Sequence, residues 1–493
     1  MRPHPHLYEI NTWPWLDGLS RRYGRHLTLG SVPNEQWDAL RASGIDLVFL
    51  MGIWRRSPLG RQLARADPRC FPPYDQALPG WRVQDVVGSA YSIVGYDPDP
   101  RIGTLGELDL VRDKLHARDM QLIVDFIPNH VGFDHPWIGA HPDRFVTGSE
   151  DAFRRDPSAF RPVELGSGEV RFIACGRDPC FPPWADVAQL DYFNPDTRAA
   201  MLAELGVVAR HADGARCDMA LLVLSEVFER TWGELVKTEP PATEFWAEAV
   251  AAVPGFVLLG EVYWGLEWRL QQLGFDFTYD KRLYDRLLNE PAESVRRHLR
   301  ADPEYQRRSA RFIENHDEPR SAVAFGSRAI SAAVVMSTLP GLRFYYDGQF
   351  EGRRIRLPVQ LGVEPSEPTD DRLSAFYRRL LATVDTPVFH SGLWRLCEVR
   401  PCNEGNDTST SLAAWSWRRG DDDVRIVSVN LGPTVSQGSV DVIGALPVDG
   451  DLFVFEDLLD GNQYRWNRGQ LADRGLYVRL TQGQAHIFSV RRQ

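Results

Sequence analysis

Eight short runs of β-branched and aromatic residues mark the chain up to Tyr346, and stretches with helical periodicity separate them. The runs are Leu7 to Asn11, Asp46 to Trp54, Gln121 to Phe126, Gly214 to Asp218, Phe256 to Glu261, Phe275 to Thr278, Arg311 to Asn315 and Leu342 to Tyr346. Alternating β and α units predict a parallel sheet covered by helices. Eight such units in about 390 residues predict an α/β fold, a (β/α)8 TIM barrel enlarged by insertions. Two helices are expected over Leu105 to Ala117 and Pro195 to His211, the second opened by Asn194 as N-cap with Pro195 in its first turn.

One connection is abnormal. The 64 residues from Val131 to Asn194 separate the third run from its helix, where about 2–6 residues are usual. This stretch, rich in Pro, Gly, Asp and Phe, is expected to form a subdomain inserted at the C-terminal mouth of the barrel. Beyond about residue 388 the pattern becomes alternation: Ser411 to Trp417, Val424 to Asn430, Leu452 to Phe455, Leu476 to Leu480 and Ala485 to Val490. No helical stretch is read between these runs, and they predict an antiparallel β-sandwich. The expected domains are a barrel of residues 1–130 and 195–387, a subdomain of 131–194 and a C-terminal domain of 388–493.

Composition excludes several classes. The 493 residues are 43% hydrophobic and 25% charged, which is compatible with large packed cores and not with disorder. No window reaches the roughly 18 apolar residues of a membrane span. A net charge of −11 without a basic stripe argues against nucleic acid and anionic membranes as partners. The first residues carry no apolar export segment, and six cysteines in so long a chain form no disulfide framework, so a cytoplasmic protein is expected. The 15 Trp and 15 Tyr suit a neutral hydroxyl-rich ligand whose apolar faces stack on rings, although core packing accounts for most of them.

In a barrel the chemistry sits at the C-terminal strand ends. Here the third run ends in Asp125-Phe126-Ile127-Pro128-Asn129-His130, the fourth in Arg216-Cys217-Asp218, the fifth in Gly260-Glu261 and the seventh in Asn315-His316-Asp317-Glu318. Buried strand ends rarely accept unpaired charges, so four charged ends on one face point to a site. Cleaving a glycosidic bond needs a proton donor and an anion facing an oxocarbenium-like carbon. Asp218 and Glu261, on adjacent strands, can reach the roughly 5–5.5 Å separation of double displacement. Arg216 is expected to hold Asp218 ionised, and the apolar neighbours of Glu261 to keep it protonated as the acid.

DFIPNH, GARCD, GEV and ENHD, in this order and at these strand ends, resemble the four sequence regions of the α-amylase family of glycoside hydrolases. The barrel, the insertion after the third strand and the C-terminal β-domain resemble that architecture too. QLDYFNP (Gln189 to Pro195) and LPGLRFYY (Leu339 to Tyr346) are similar to secondary motifs of the family. The resemblance implies Asp218 as nucleophile, Glu261 as general acid/base and Asp317 as the carboxylate that grips sugar hydroxyls and stabilises the transition state. It implies His130 and His316 as donors to the sugar being cleaved, Arg216 as the group orienting Asp218, and Tyr91, in GSAYSIVGY, as the ring beneath that sugar. In calcium-binding members the residue matching Asn129 is a ligand; here Asn129 and Asp125 are expected to brace the site, with no metal and no cofactor.

This chain departs from the family at three places. Met219-Ala220-Leu221-Leu222 stands where many calcium-dependent members have Lys-His. Exo-acting members pair an aspartate before a tyrosine with an arginine after ENHD; Arg320 is present, but Gly95 precedes Tyr96, leaving Asp97 as the candidate partner. The eighth run continues as Tyr346-Asp347-Gly348-Gln349-Phe350, altered from the family sequence. The expected function is a retaining α-glycosidase acting on α-linked oligosaccharides or glucosides. The alternatives are a transglycosidase of the same family, passing the glucosyl unit to a sugar or small acceptor, a catalytically silent barrel, and a magnesium-dependent barrel enzyme.

Overall fold

The computed structural model describes residues 1–493. Eight parallel strands close into a barrel: β1 (His6–Asn11), β2 (Leu47–Met51), β3 (Gln121–Phe126), β4 (Gly214–Cys217), β5 (Val257–Gly260), β6 (Phe277–Tyr279), β7 (Ser309–Arg311) and β8 (Leu342–Tyr346). Each strand pairs with its neighbours in sequence, and β8 returns to β1. The strands are apolar because both faces are covered; all five residues of β2, LVFLM, are buried. The helices Leu105–His116 and Pro195–His211 lie where expected, the second capped by Asn194, whose side chain accepts from the Asp196 N–H; Thr104 caps the first.

Strand register sets the level of the site. Cys217 of β4 pairs with Gly260 of β5, so the next residues, Asp218 and Glu261, leave the barrel side by side. Gly260 has no side chain because a Cβ there would meet the Phe275 ring at 3.0 Å. Phe275 thus packs onto β5 rather than joining β6, which runs from Phe277 to Tyr279, two residues later than its apolar run suggests. The seventh strand also differs from expectation. Its ladder covers Ser309–Arg311, while Phe312 and Ile313 are buried by packing without belonging to a strand.

The segment after β3 folds as an antiparallel sheet of five strands, His130–Gly132, Thr147–Gly148, Phe160–Glu164, Val170–Gly176 and Trp184–Gln189. It is not the only enlarged connection. Between β2 and the helix Leu105–His116 lie the helices Pro58–Ala66 and Phe71–Ala77 and the strand pair Trp54–Arg56 with Ile93–Pro98. Polar connectors dilute the periodicity of that stretch, which is why sequence singled out only one abnormal loop.

The C-terminal part contains two antiparallel sheets, of six and three strands. Along the central strands of the larger sheet, side chains alternate between two cores. Leu412, Ala414, Val424 and Ile426 pack towards the smaller sheet, whereas Trp415, Trp417, Val427 and Val429 join the core of the barrel. The Trp417 indole donates to the carbonyl of Thr338 at 2.6 Å, tying the sheet to a barrel helix. A helix, Arg468–Arg474, interrupts the strands here, contrary to the expectation of uninterrupted alternation; Asn467 caps it reciprocally with Gln470. No helix of the chain is long and apolar enough to cross a membrane.

Candidate active site

Arg216, fully buried in β4, is the centre of the charged cluster. Its Nη1 donates to Asp218 Oδ1 at 2.6 Å, and its Nη2 contacts Glu261 Oε2 at 2.8 Å and Asp317 Oδ2 at 3.9 Å. The guanidinium also lies 5.1 Å from the ring centre of Tyr91 and 5.7 Å from that of Tyr279. One cation thus serves carboxylates from three strand ends, in a place where a charge without partners would be very costly.

Burial works against the ionised form of Asp218, although Arg216 draws it there as expected. Burial, with the charge of Glu261 adding to it, pushes its carboxyl from the usual 3.8 up to about 7, against the pull of Arg216. Because the guanidinium is shared between carboxylates, its effect on any one of them is diluted, and the cluster titrates as a coupled group. Glu261 is held by more donors than its apolar neighbours suggest. The Met219 N–H donates to Oε2 at 2.7 Å and the Tyr263 hydroxyl to Oε1 at 2.6 Å. Met219 adopts a left-handed backbone, φ 41°, an uncommon conformation for a residue with a side chain.

At the other end, His316 Nδ1 meets Glu9 Oε1 at 2.5 Å, while Nε2 lies 2.7 Å from the Tyr91 hydroxyl and 3.0 Å from Asp317 Oδ2. Burial disfavours the imidazolium, but Asp317 and Glu9 outweigh it and hold His316 well above its ordinary value. Reciprocally, against the cost of enclosure, His316 and Arg216 hold Asp317 well below the usual carboxylate range. Asp317 lines the cavity and keeps 45% of its side chain open to it. The Asn315 side chain shapes this turn, accepting from the N–H groups of Asp317 and Glu318, both at 2.9 Å.

His130 lies against Trp184 edge to face, its Nε2 3.2 Å from the Tyr91 carbonyl and its Nδ1 3.2 Å from Asn129 Nδ2. Burial lowers it to about 4, so it is a neutral imidazole near pH 7. Asp125 is buried on β3 and accepts from the Gly52 N–H at 2.7 Å, and burial raises its carboxyl to about 6. The Asn129 amide exchanges both its hydrogen bonds with Gln189, Nδ2 donating at 3.2 Å and Oδ1 accepting at 3.0 Å. A hard divalent cation needs several free oxygen ligands. Asn129 Oδ1 accepts from Gln189, and no carboxylate hydrogen-bonds to the Asn129 amide.

These groups border a cavity of about 1070 Å³. Tyr91, His130, Asp218, Glu261 and Asp317 line it; Arg216 and His316 stand behind and touch lining groups. Arg320 is not brought there. It is 5% exposed and pairs with buried Glu314 at 2.7 Å, donates to the carbonyls of Asp347 and Ile355, and stacks on Tyr346. Asp97 pairs with Arg55 at 3.0 Å instead. The predicted closing pair therefore does not form, and Arg356, with no ion-pair partner, lines the cavity from the loop after β8.

Sequence reasoning passed over Glu9, Tyr263 and the Met219 N–H. A charged residue within the apolar first run was a usable signal for Glu9. Nothing in the sequence distinguishes Tyr263 from a core aromatic, or predicts where a main-chain N–H points.

No family model matches the chain. It is 23% identical over 306 residues to Alpha-amylase 3 of Dictyoglomus thermophilum, covering 57% of each protein. With Alpha-amylase MalA of Haloarcula japonica it shares 25% identity over 265 residues, 52% of this chain and 35% of that one. The chain thus spans about half or less of the length of these curated relatives. Its backbone is similar to the crystal structure of the maltogenic α-amylase AmyB from Thermotoga neapolitana, with a TM-score of 0.68 and 18% identity over 99% of both chains. That likeness is one of fold.

Proposed function

We propose that this chain, a member of the α-amylase family of glycoside hydrolases, is a retaining enzyme that hydrolyses α-glucosidic bonds of oligosaccharides. The observation that carries the reading is the single guanidinium of Arg216 shared among Asp218, Glu261 and Asp317. Two carboxylates on adjacent nitrogens of one planar group favour the short separation of double displacement over the roughly 6.5–9.5 Å that an inverting enzyme leaves for water.

In this mechanism the sugar ring being cleaved rests on Tyr91, with its hydroxyls towards His130 and Asp317. His316, expected from sequence to donate to the sugar, is fully buried and instead holds Tyr91 and Asp317 from behind. Glu261 gives its proton to the leaving oxygen as the Asp218 carboxylate bonds to the anomeric carbon, and the electron pair of the broken C–O bond stays with the leaving oxygen. Water, deprotonated by Glu261, then releases the sugar from Asp218 with retained configuration. The Asp218 carboxylate is the reactive anion, stabilised by the Arg216 guanidinium that donates to it at 2.6 Å. The imidazolium of His316 and the anion of Asp317 complement the charge redistribution at the sugar ring. Six free cysteines, Cys180 among them exposed, support a cytoplasmic setting.

The test is a product assay with maltose, maltotriose and sucrose, followed by NMR of the first-formed anomer. Release of glucose in the α configuration is expected. Mostly longer or isomeric sugars assign the chain instead to glycosyl transfer, and β-glucose from an α-linkage refutes double displacement.

A further inference from the structure

The two oxygens of Glu261 are unequally placed to carry a proton. Oε2 faces the Met219 N–H at 2.7 Å and the Arg216 guanidinium at 2.8 Å. Neither group has a lone pair to offer, so a hydrogen on Oε2 would point at hydrogens and positive charge. Oε1 has a single partner, the Tyr263 hydroxyl at 2.6 Å. A hydroxyl both donates and accepts, so it is the one neighbour able to receive a hydrogen bond from the acid form and return one to the carboxylate. Tyr263 and Glu261 both line the cavity, and Tyr263, half-buried, is held in its neutral form first by burial and then by the charge of Glu261.

We propose that Tyr263 is a positioning residue that keeps the acid proton of Glu261 on Oε1, the oxygen that protonates the leaving group. In the acid form the Oε1–H bond points to the Tyr263 oxygen. When substrate binds, the hydrogen swings from Tyr263 to the leaving oxygen. The Oε1–H bond then breaks as an O–H bond forms on the leaving oxygen, while the Tyr263 hydroxyl turns from acceptor to donor and stabilises the carboxylate left behind. The pairing is fixed by the chain itself, since only Val262 separates the two residues, and by the left-handed turn at Met219 that aims an N–H at the other oxygen.

The inference rests on the glycosidase reading, and leaving-group dependence separates the two. Substrates whose departure needs a proton should depend on Tyr263, and substrates with a good leaving group should not. For Tyr263→Phe the expected result is a fall of about 10²-fold in kcat on maltotriose but of less than about threefold on α-glucosyl fluoride, with KM little changed. Glu261→Gln should lose maltotriose cleavage yet still form the glycosyl-enzyme from α-glucosyl fluoride, whose release it slows for want of the base. Glu261 is also faced by Arg216 and Asp218 from β4, Tyr279 from β6 and Asp317 from the turn after β7, all intact in Tyr263→Phe. A loss confined to maltotriose therefore reports on the missing hydroxyl alone. Unchanged turnover of maltotriose, or equal losses on both substrates, overturns the proposal. If the wild type cleaves neither substrate, or Asp218→Asn cleaves both at the wild-type rate, the glycosidase reading fails instead.

Discussion

Asp218→Asn should make the protein more stable in neutral and alkaline solution while removing its activity. Asp218 is 5% exposed, and folding raises its carboxyl from 3.8 to about 7. Between those values the folded state binds a proton that the unfolded chain has released. Stability therefore falls as pH rises from about 4 to about 7 and stays lower above it. At about 1.4 kcal/mol for each tenfold change in proton affinity, the span corresponds to about 4 kcal/mol, an upper figure because Asp218 titrates with its neighbours. Asparagine resembles the protonated carboxyl in shape, keeps an oxygen that can accept from Arg216, and has no proton to lose. Urea unfolding of both proteins at pH 4 and pH 8 measures the effect. The variant should match the wild type near pH 4 and exceed it by up to about 4 kcal/mol at pH 8. A variant equal to or weaker than the wild type at pH 8 would show that the folded state does not disfavour the Asp218 anion, and the reasoning would fail.

Other outcomes follow from the same geometry. Glu9→Gln removes one of the two anions that sustain the His316 imidazolium, so the alkaline limb of kcat should move to lower pH and the imidazole nitrogen resonances should titrate earlier. Arg216→Lys keeps the charge but cannot bridge two carboxylates; kcat should fall by about 10²-fold or more on maltotriose, measured by glucose release. Arg320→Ala leaves Glu314 buried without its partner, which should cost about 3–5 kcal/mol in urea unfolding, while KM for maltotriose stays within about twofold. EDTA should leave glucose release from maltotriose unchanged, because the Asn129 amide pairs with Gln189; lost activity on chelation would refute that reading.

The sequence alone determined the barrel, because strands buried on both faces must be apolar runs and helices that cover them must be periodic. β2 and β3 and the helix Pro195–His211 lie where those patterns place them. It also marked Asp218, Glu261 and Asp317, since charge at the ends of buried strands is rare enough to stand out. Patterning was blind to the strand pair and helices after β2, where polar connectors dilute periodicity, and to the end of β7, where an apolar run packs without joining the ladder.

What only the tertiary structure decided is which partner each charged group meets. Arg320 and Glu314, six residues apart, find each other beside Tyr346 and never reach the cavity, whereas Glu9 and His316, 307 positions apart, come within 2.5 Å. The ionisation of Asp218 likewise depends on burial and on how one guanidinium is divided among three carboxylates. Electrostatic energy depends on distance and on exclusion of water, and both are properties of the folded arrangement rather than of residue order.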